Sequence, residues 1–209
     1  MIAAERTNFN EHFSEEKYQQ LIKDIDATAP GMLDFRVAET PVFVSPEFRD
    51  NMLSTCDHVI NLILQPDFKE LTKNSIPKEN FIPGETPFPE LLIFDFGVCK
   101  NKKGELEPQL IEMQGFPSLF TYQHTLDELM RDYASIPREM SSYLNGFDSE
   151  SYVELLKKMI LADCKPHEVV LMEVRPEQQK TRIDFRLTEK LLGIKTICVS
   201  ELRSEGRTL

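Results

Sequence analysis

The chain contains no cluster of glycines. Its eight glycines are scattered, the GxxxxGK(S/T) pattern is absent, and no glycine-rich turn follows a strand-like run. A P-loop and a dinucleotide fingerprint are therefore excluded. Positive charge is also scarce, with 24 Lys and Arg against 35 Asp and Glu and a formal net charge of −11. Such a surface repels the phosphates of nucleic acids and anionic membrane surfaces, so neither is an expected partner. No apolar run approaches the length that crosses a bilayer. The first thirty residues carry no apolar core after a basic start, so no secretory signal is read there.

The four cysteines, Cys56, Cys99, Cys164 and Cys198, are widely spaced and form no CxxC. They read as buried, reduced thiols of a cytoplasmic protein. His12, His58, His124 and His167 show no ligand spacing with cysteine or with one another, which argues against a zinc site. Ser118 lacks a GxSxG setting, so an α/β-hydrolase elbow is absent.

What is present fits a globular protein: 209 residues, 41% hydrophobic and 28% charged, enough for one large domain or two small ones. Residues 1–12 are polar and expected to be loose at the start. Ser14 is placed to cap a helix reaching about Ala27. Residues 41–44 read as short and extended. Ser45-Pro46-Glu47 has the order of cap, first-turn proline and first-turn acid. The helix it opens runs to about Leu64, with Phe48, Met52, Cys56, Val59, Ile60 and Ile63 as a core stripe. A short helix is expected over 67–73, and the proline-rich 76–89 reads as a loop.

Residues 91–99 (LLIFDFGVC) and 108–114 (PQLIEMQ) are strand-like and flank a polar turn with Gly104, which predicts a β-hairpin. Glu112 and Gln114 share a face of such a strand. With the turn centred on Lys103-Gly104, Asp95 pairs opposite Glu112 and points the same way. Two carboxylates and a carboxamide on one face suit Mg²⁺, which takes one or two protein carboxylates and completes its shell with water and phosphate oxygens. Acidic residues on a hairpin also commonly just face water, and that reading stands beside the first. In the exit Gly115-Phe116-Pro117-Ser118, Gly115 permits a tight turn, and Ser118 is placed to cap a helix over 119–134.

Beyond a further helix over 148–163, residues 168–174 form a continuous apolar run typical of a buried strand. A helix over 176–192 follows, then Gly193 as its terminator, then a strand over 194–199. Strand, helix and strand with short links predict parallel strands. Arg175, Gln178, Gln179, Lys180 and Arg182 gather at the carboxyl end of the first of these strands, where ligands often sit. They could meet an anionic substrate, although a solvated helix face is the simpler reading.

The hairpin residues carry a resemblance. Asp95, Glu112, Gln114 and Pro117-Ser118-Leu119 resemble the motif of circularly permuted ATP-grasp proteins, in particular the glutathionylspermidine synthase group. That motif has an Arg-x-Asp on one strand and a Glu-x-Asn with a following Pro-Thr/Ser turn on a neighbouring strand. The resemblance implies that Asp95, Glu112 and Gln114, the last in place of asparagine, hold the Mg²⁺ of ATP. It implies a carboxylate–amine ligase acting through an acyl phosphate on a small-molecule carboxylate and an amine. The family's arginine falls at Ile93, so no catalytic residue is carried over. Ser118, Arg175, Lys180 and Arg182 are the candidate substrate contacts.

The expected fold is mixed α/β. A helical region spans 1–85, the hairpin and helix of an ATP-grasp-like core span 86–147, and a Rossmann-like βαβ region spans 148–209. The resembled enzymes carry their nucleotide clamp further along the chain, whereas this sequence stops at residue 209. The expectation is a fragment or a natural truncation, inactive by itself, with Mg²⁺ and ATP bound only alongside the second half. Two alternatives remain: a non-catalytic interaction domain that kept part of this fold, and an α/β domain unrelated to ATP. The oligomeric state is not legible.

Overall fold

A computed structural model describes residues 2–84, 86, 89–115 and 119–206. The chain mixes helices with two small sheets and divides into two compact units, residues 1–6 with 42–117, and residues 7–41 with 118–209. The units cut across the three segments drawn from the sequence: the hairpin shares a unit with the helix after Pro46, not with the helix after Leu119. Among the described residues no helix is long and apolar enough to cross a membrane.

The first unit is built on helix α3 (Pro46–Ile63), the short α4 (Phe68–Thr72), and the antiparallel strands β1 (Ile93–Lys100) and β2 (Leu106–Gln114). Ser45 accepts from the Phe48 N–H at 3.2 Å, and Pro46 occupies the first turn, so α3 starts where its capping residues place it. Of the expected α3 stripe only Phe48 is buried; Met52, Cys56, Val59, Ile60 and Ile63 are half-buried. Among its described residues, Phe43 and Phe48 are the buried apolar ones. Residues 41–44 form no strand.

The second unit has a fuller core. Helices α2 (Glu15–Thr28), α5 (Phe120–Ala134) and α7 (Arg182–Leu192) pack Leu21, Ile25, Ala29, Tyr122, Met130, Ile183 and Leu187 together with Val37. Ser14 caps α2 through the Lys17 N–H, as expected. Asp148 and Ser151 form a reciprocal capping box at the start of α6 (Ser149–Leu161). The expectation of a loose amino terminus is corrected. Helix α1 (Ala3–His12) forms because Phe9 is buried there, edge-on to Tyr133 with ring centroids 5.9 Å apart. That contact is long-range, so local sequence cannot signal it.

Strands β3 (Val170–Glu173) and β4 (Lys195–Cys198) pair in parallel around α7, with Gly193 ending the helix at φ 72°. The expected order is therefore present, but the buried strand is not. Val170, Met172 and Val174 are about half exposed. A parallel strand is buried on both faces only when layers cover both, and the described residues form a sheet of two strands. The cysteines likewise depart from expectation: Cys99 and Cys164 are exposed, Cys56 and Cys198 half-buried, and all four are free thiols.

Candidate functional site: the polar face of the hairpin

The hairpin turn is built on Asn101 and Gly104. The Asn101 N–H donates to the Glu105 carbonyl at 2.8 Å and the Gly104 N–H to the Asn101 carbonyl at 2.9 Å. The Asn101 side-chain oxygen accepts from the Lys103 and Glu105 N–H groups. Gly104 sits at φ 82°, the left-handed conformation such a turn requires. Lys100 then pairs with Leu106, Val98 with Pro108 and Phe96 with Leu110. That register, continued, would set Asp95 opposite Ile111.

It does not continue. Ile111 is left unpaired as a β-bulge, and Asp95 pairs with Glu112 and Ile93 with Gln114. The sequence-based pairing of Asp95 with Glu112 is present, but the bulge produces it, not the turn centre. The cause lies in the pattern of β2. Leu106, Pro108 and Leu110 alternate with Glu107 and Gln109, then the phase slips at Leu110-Ile111, and Met113 falls between Glu112 and Gln114. A bulge absorbs one residue and restores alternation. One face therefore carries Asp95, Glu107, Gln109, Glu112 and Gln114, and the other carries Phe94, Phe96, Val98, Leu106, Leu110 and Met113. Ile111 lies over Gly97, with its Cδ1 3.6 Å from where a side chain there would begin.

On the polar face, the Gln114 Nε2 group donates to Asp95 Oδ2 at 3.1 Å and to Glu112 Oε1 at 2.7 Å. One carboxamide thus bridges two carboxylates that would otherwise repel each other across the strands. The donor set, two carboxylates and an amide, has the chemistry of a hard-cation site. Its geometry sets a condition: Gln114 presents N–H to the acids, and ligation by the amide oxygen requires the amide to turn over. Ile93 sits at the opposite end of this face from the turn and brings no charge. Among the described residues no group of three or more His, Cys, Asp or Glu is arranged to hold a metal.

The remaining candidates are Ser118, Arg175, Lys180 and Arg182. Ser118 lies outside the described residues, together with Phe116 and Pro117. Arg182 donates to Asp34 at 2.7 Å and holds that carboxyl below its usual range. Its guanidinium is thus engaged in an ion pair. Lys180 is exposed, as is Arg175, which leaves β3 in a left-handed conformation, φ 51°. These positions fit the solvated-face reading better than a substrate site.

Sequence reasoning passed over Asp184. Leu119 begins α5 with φ 59° and provides no side-chain cap. Asp184 on α7 provides the acceptor instead. It takes the Tyr122 N–H at 2.8 Å and lies against the Thr121 and Leu119 N–H groups. It is buried, and desolvation raises its pKa against the lowering effect of those donors. Beside it, the Thr121 and Thr188 hydroxyls meet at 2.9 Å. The sequence signal was available: Asp184 and Thr188 are four apart, next to Ile183 and Leu187, so two polar residues border the apolar stripe of α7. A second polar group joins His124 Nδ1 to the Tyr143 hydroxyl at 2.8 Å, with Tyr152 packed alongside. Burial pushes the Tyr152 phenol up to about 12 and Tyr143 upward, so neither is activated as a base. Comparison with family models, curated proteins and solved structures finds no match to this chain.

Proposed function

We propose that the β1–β2 hairpin is the divalent-cation end of a Mg-ATP-dependent carboxylate–amine ligase of the ATP-grasp-like kind, whose other unit carries a Rossmann-like βαβ layer. The supporting observation is the strand register, which sets Asp95 directly opposite Glu112 with Gln114 on the same face. In that reaction the γ-phosphoryl of ATP passes to a substrate carboxylate, giving ADP and an acyl phosphate. An amine then attacks the acyl carbon, phosphate leaves, and the nitrogen loses a proton. The cation, when bound, offsets charge on the transferring phosphoryl group. Asp95, Glu112 and Gln114 position it; none of them transfers a proton. The 209 residues contain no phosphate-cradling loop, so the chain alone is read as inactive, and activity is assigned to a protein that also supplies a nucleotide clamp.

The test begins with the mass of the native polypeptide and peptide mapping past Leu209. Calorimetry on the native-length protein then compares ATP with and without Mg²⁺. Glu112→Ala is expected to weaken Mg-ATP binding at least about tenfold, the scale seen when metal-supporting groups are lost. Native-length protein that binds no Mg-ATP, or binds it unchanged in Glu112→Ala, sinks the reading.

Ile93 favours a second reading, a non-catalytic interaction domain that kept part of this fold. The Gln114 amide, already satisfied by both acids, points the same way. Ile93→Arg distinguishes the two. Nucleotide-dependent activity gained by that variant supports a decayed ligase, and continued inactivity supports the interaction domain.

A further inference from the structure

Between α5 and α6 the chain turns at Asn145-Gly146. The Leu144 carbonyl accepts the Phe147 N–H at 3.1 Å. The two residues between them are left-handed, at φ 56° and 80°, as in a type I′ turn. Asparagine and glycine are residues that tolerate this backbone. Both are exposed. Among the described residues neither the Asn145 carboxamide nor the Gly146 N–H has a hydrogen-bond partner. A side-chain amide carbon and the backbone nitrogen that follows it are therefore both left unengaged.

No other asparagine combines these features. Asn145 is the only one of the eight followed by glycine. A side chain on the following residue crowds the approach of its nitrogen to the carboxamide, and glycine has none. Asn8, Asn10, Asn51 and Asn61 lie within α1 and α3, where the next N–H is bonded inside the helix. The Asn101 side-chain oxygen accepts two backbone N–H groups, and its nitrogen donates to Glu105. The Phe81 N–H that follows Asn80 donates to the Lys78 carbonyl. Asn74 is followed by Ser75, which brings a side chain.

We propose that Asn145 is a self-modifying site, converted in the folded protein to aspartate and isoaspartate through a cyclic imide closed with Gly146, and that the isoaspartate form loosens the start of α6. The Asn145 Cα–C bond first rotates, at the cost of the Phe147–Leu144 turn bond. The Gly146 nitrogen gives its proton to water and attacks Asn145 Cγ. The N–Cγ bond forms, the bond from Cγ to the amide nitrogen breaks, and ammonia leaves with the equivalent of that proton. Water then opens the imide. Attack at Cγ gives aspartate; attack at the backbone carbonyl carbon gives isoaspartate, in which the chain runs through Cβ and Cγ and is one carbon longer. That carbon enters between two anchors. Upstream, the Tyr143 hydroxyl meets His124 Nδ1 at 2.8 Å. Downstream, Asp148 and Ser151 cap α6, and the Ser149 hydroxyl donates to Glu128 of α5 at 2.8 Å. Aspartate keeps the chain length and tolerates the left-handed turn, so only isoaspartate strains these anchors. The site is independent of the cation reading of the hairpin.

The experiment is storage of the native-length protein at neutral pH, followed by peptide mass mapping that separates aspartate from isoaspartate. Asn145 is expected to convert before any other asparagine, to give both products, and to add one negative charge on isoelectric focusing. That charge shift is expected to be lost in Asn145→Gln, whose longer side chain closes its ring far more slowly. The isoaspartate fraction is expected to unfold at lower urea than fresh protein, read by tyrosine fluorescence, and Asn145→Asp to unfold with the fresh protein. Conversion of another asparagine ahead of Asn145 overturns the proposal, as does conversion of Asn145 only in the urea-unfolded chain. Aspartate without isoaspartate means direct hydrolysis of the amide and overturns the imide route. An isoaspartate fraction with an unchanged urea midpoint overturns the effect assigned to α6.

Discussion

Replacing Asp184 by alanine tests an interaction between residues 62 apart in the chain. Helix α5 opens on a left-handed Leu119 with no cap of its own and has no acid in its first turn. The Tyr122 N–H donates, at 2.8 Å, to the carboxylate of another helix. Loss of a cap costs about 0.5–2 kcal/mol, and stranding a buried donor of a charged hydrogen bond costs about 1–3 kcal/mol. Part of this is returned, because the buried carboxylate pays desolvation when ionised, which is why its pKa is raised. The net expectation for Asp184→Ala at pH 7 is a loss of about 2–3 kcal/mol, and a smaller loss for Asp184→Asn, which keeps one acceptor. Urea unfolding followed by tyrosine fluorescence is a selective assay. The chain has no tryptophan, and all five tyrosines, Tyr18, Tyr122, Tyr133, Tyr143 and Tyr152, lie in the second unit. The sign with pH follows from the raised pKa. The stability this carboxyl contributes by protonation is full below its unfolded value and is lost as pH rises through its folded value. The advantage of wild type over Asp184→Asn must therefore widen between pH 7 and pH 4. A loss under about 0.5 kcal/mol in Asp184→Ala, the range of an ordinary surface change, refutes the capping argument. A gap that narrows on acidification refutes the burial argument.

Three further outcomes follow from described contacts. Phe9→Ala removes the buried ring packed on Tyr133 and is expected to cost about 3 kcal/mol or more, read as an earlier urea midpoint by the same fluorescence; an unchanged midpoint means α1 is not anchored there. Gly193→Ala forces a side chain into φ 72° with its Cβ 3.5 Å from Pro166 and is expected to cost about 1 kcal/mol in a thermal melt. The Cys198 thiol is held below its ordinary pKa by the Ser200 hydroxyl and by the Ser200 and Arg175 N–H groups, whereas burial raises that of Cys56. Iodoacetamide at neutral pH should label Cys198 first by peptide mass mapping; faster labelling of Cys56 contradicts that electrostatic order.

The legible part of this fold is what neighbours in sequence decide. Ser14, Ser45 and Asp148 mark helix starts, Gly193 marks a stop, and Gly104 marks the hairpin turn, because each acts within a few residues of its own position. The parallel β3–β4 pair was legible for the same reason, since short links on either side of one helix leave few ways back to the sheet. Distant partners decided the rest. Helix α1 depends on Tyr133, α5 begins on Asp184, and the exposure of Val170 and Met172 depends on what covers β3. In the candidate site, the companionship of Asp95, Glu112 and Gln114 was read from alternation. The bulge at Ile111 was missed, although two adjacent apolar residues between oppositely phased runs announce it.

That bulge has a consequence for substitution along β2. Before Leu110 the even positions belong to the apolar face, and after Ile111 the odd ones do. A complete set of single substitutions should therefore show tolerance that alternates from residue to residue, then repeats a beat at 110–111 and alternates in the opposite sense. Counting tolerated replacements at each position would locate the displaced residue from growth data alone, with no coordinates, and would tell whether the hairpin keeps this register inside the cell.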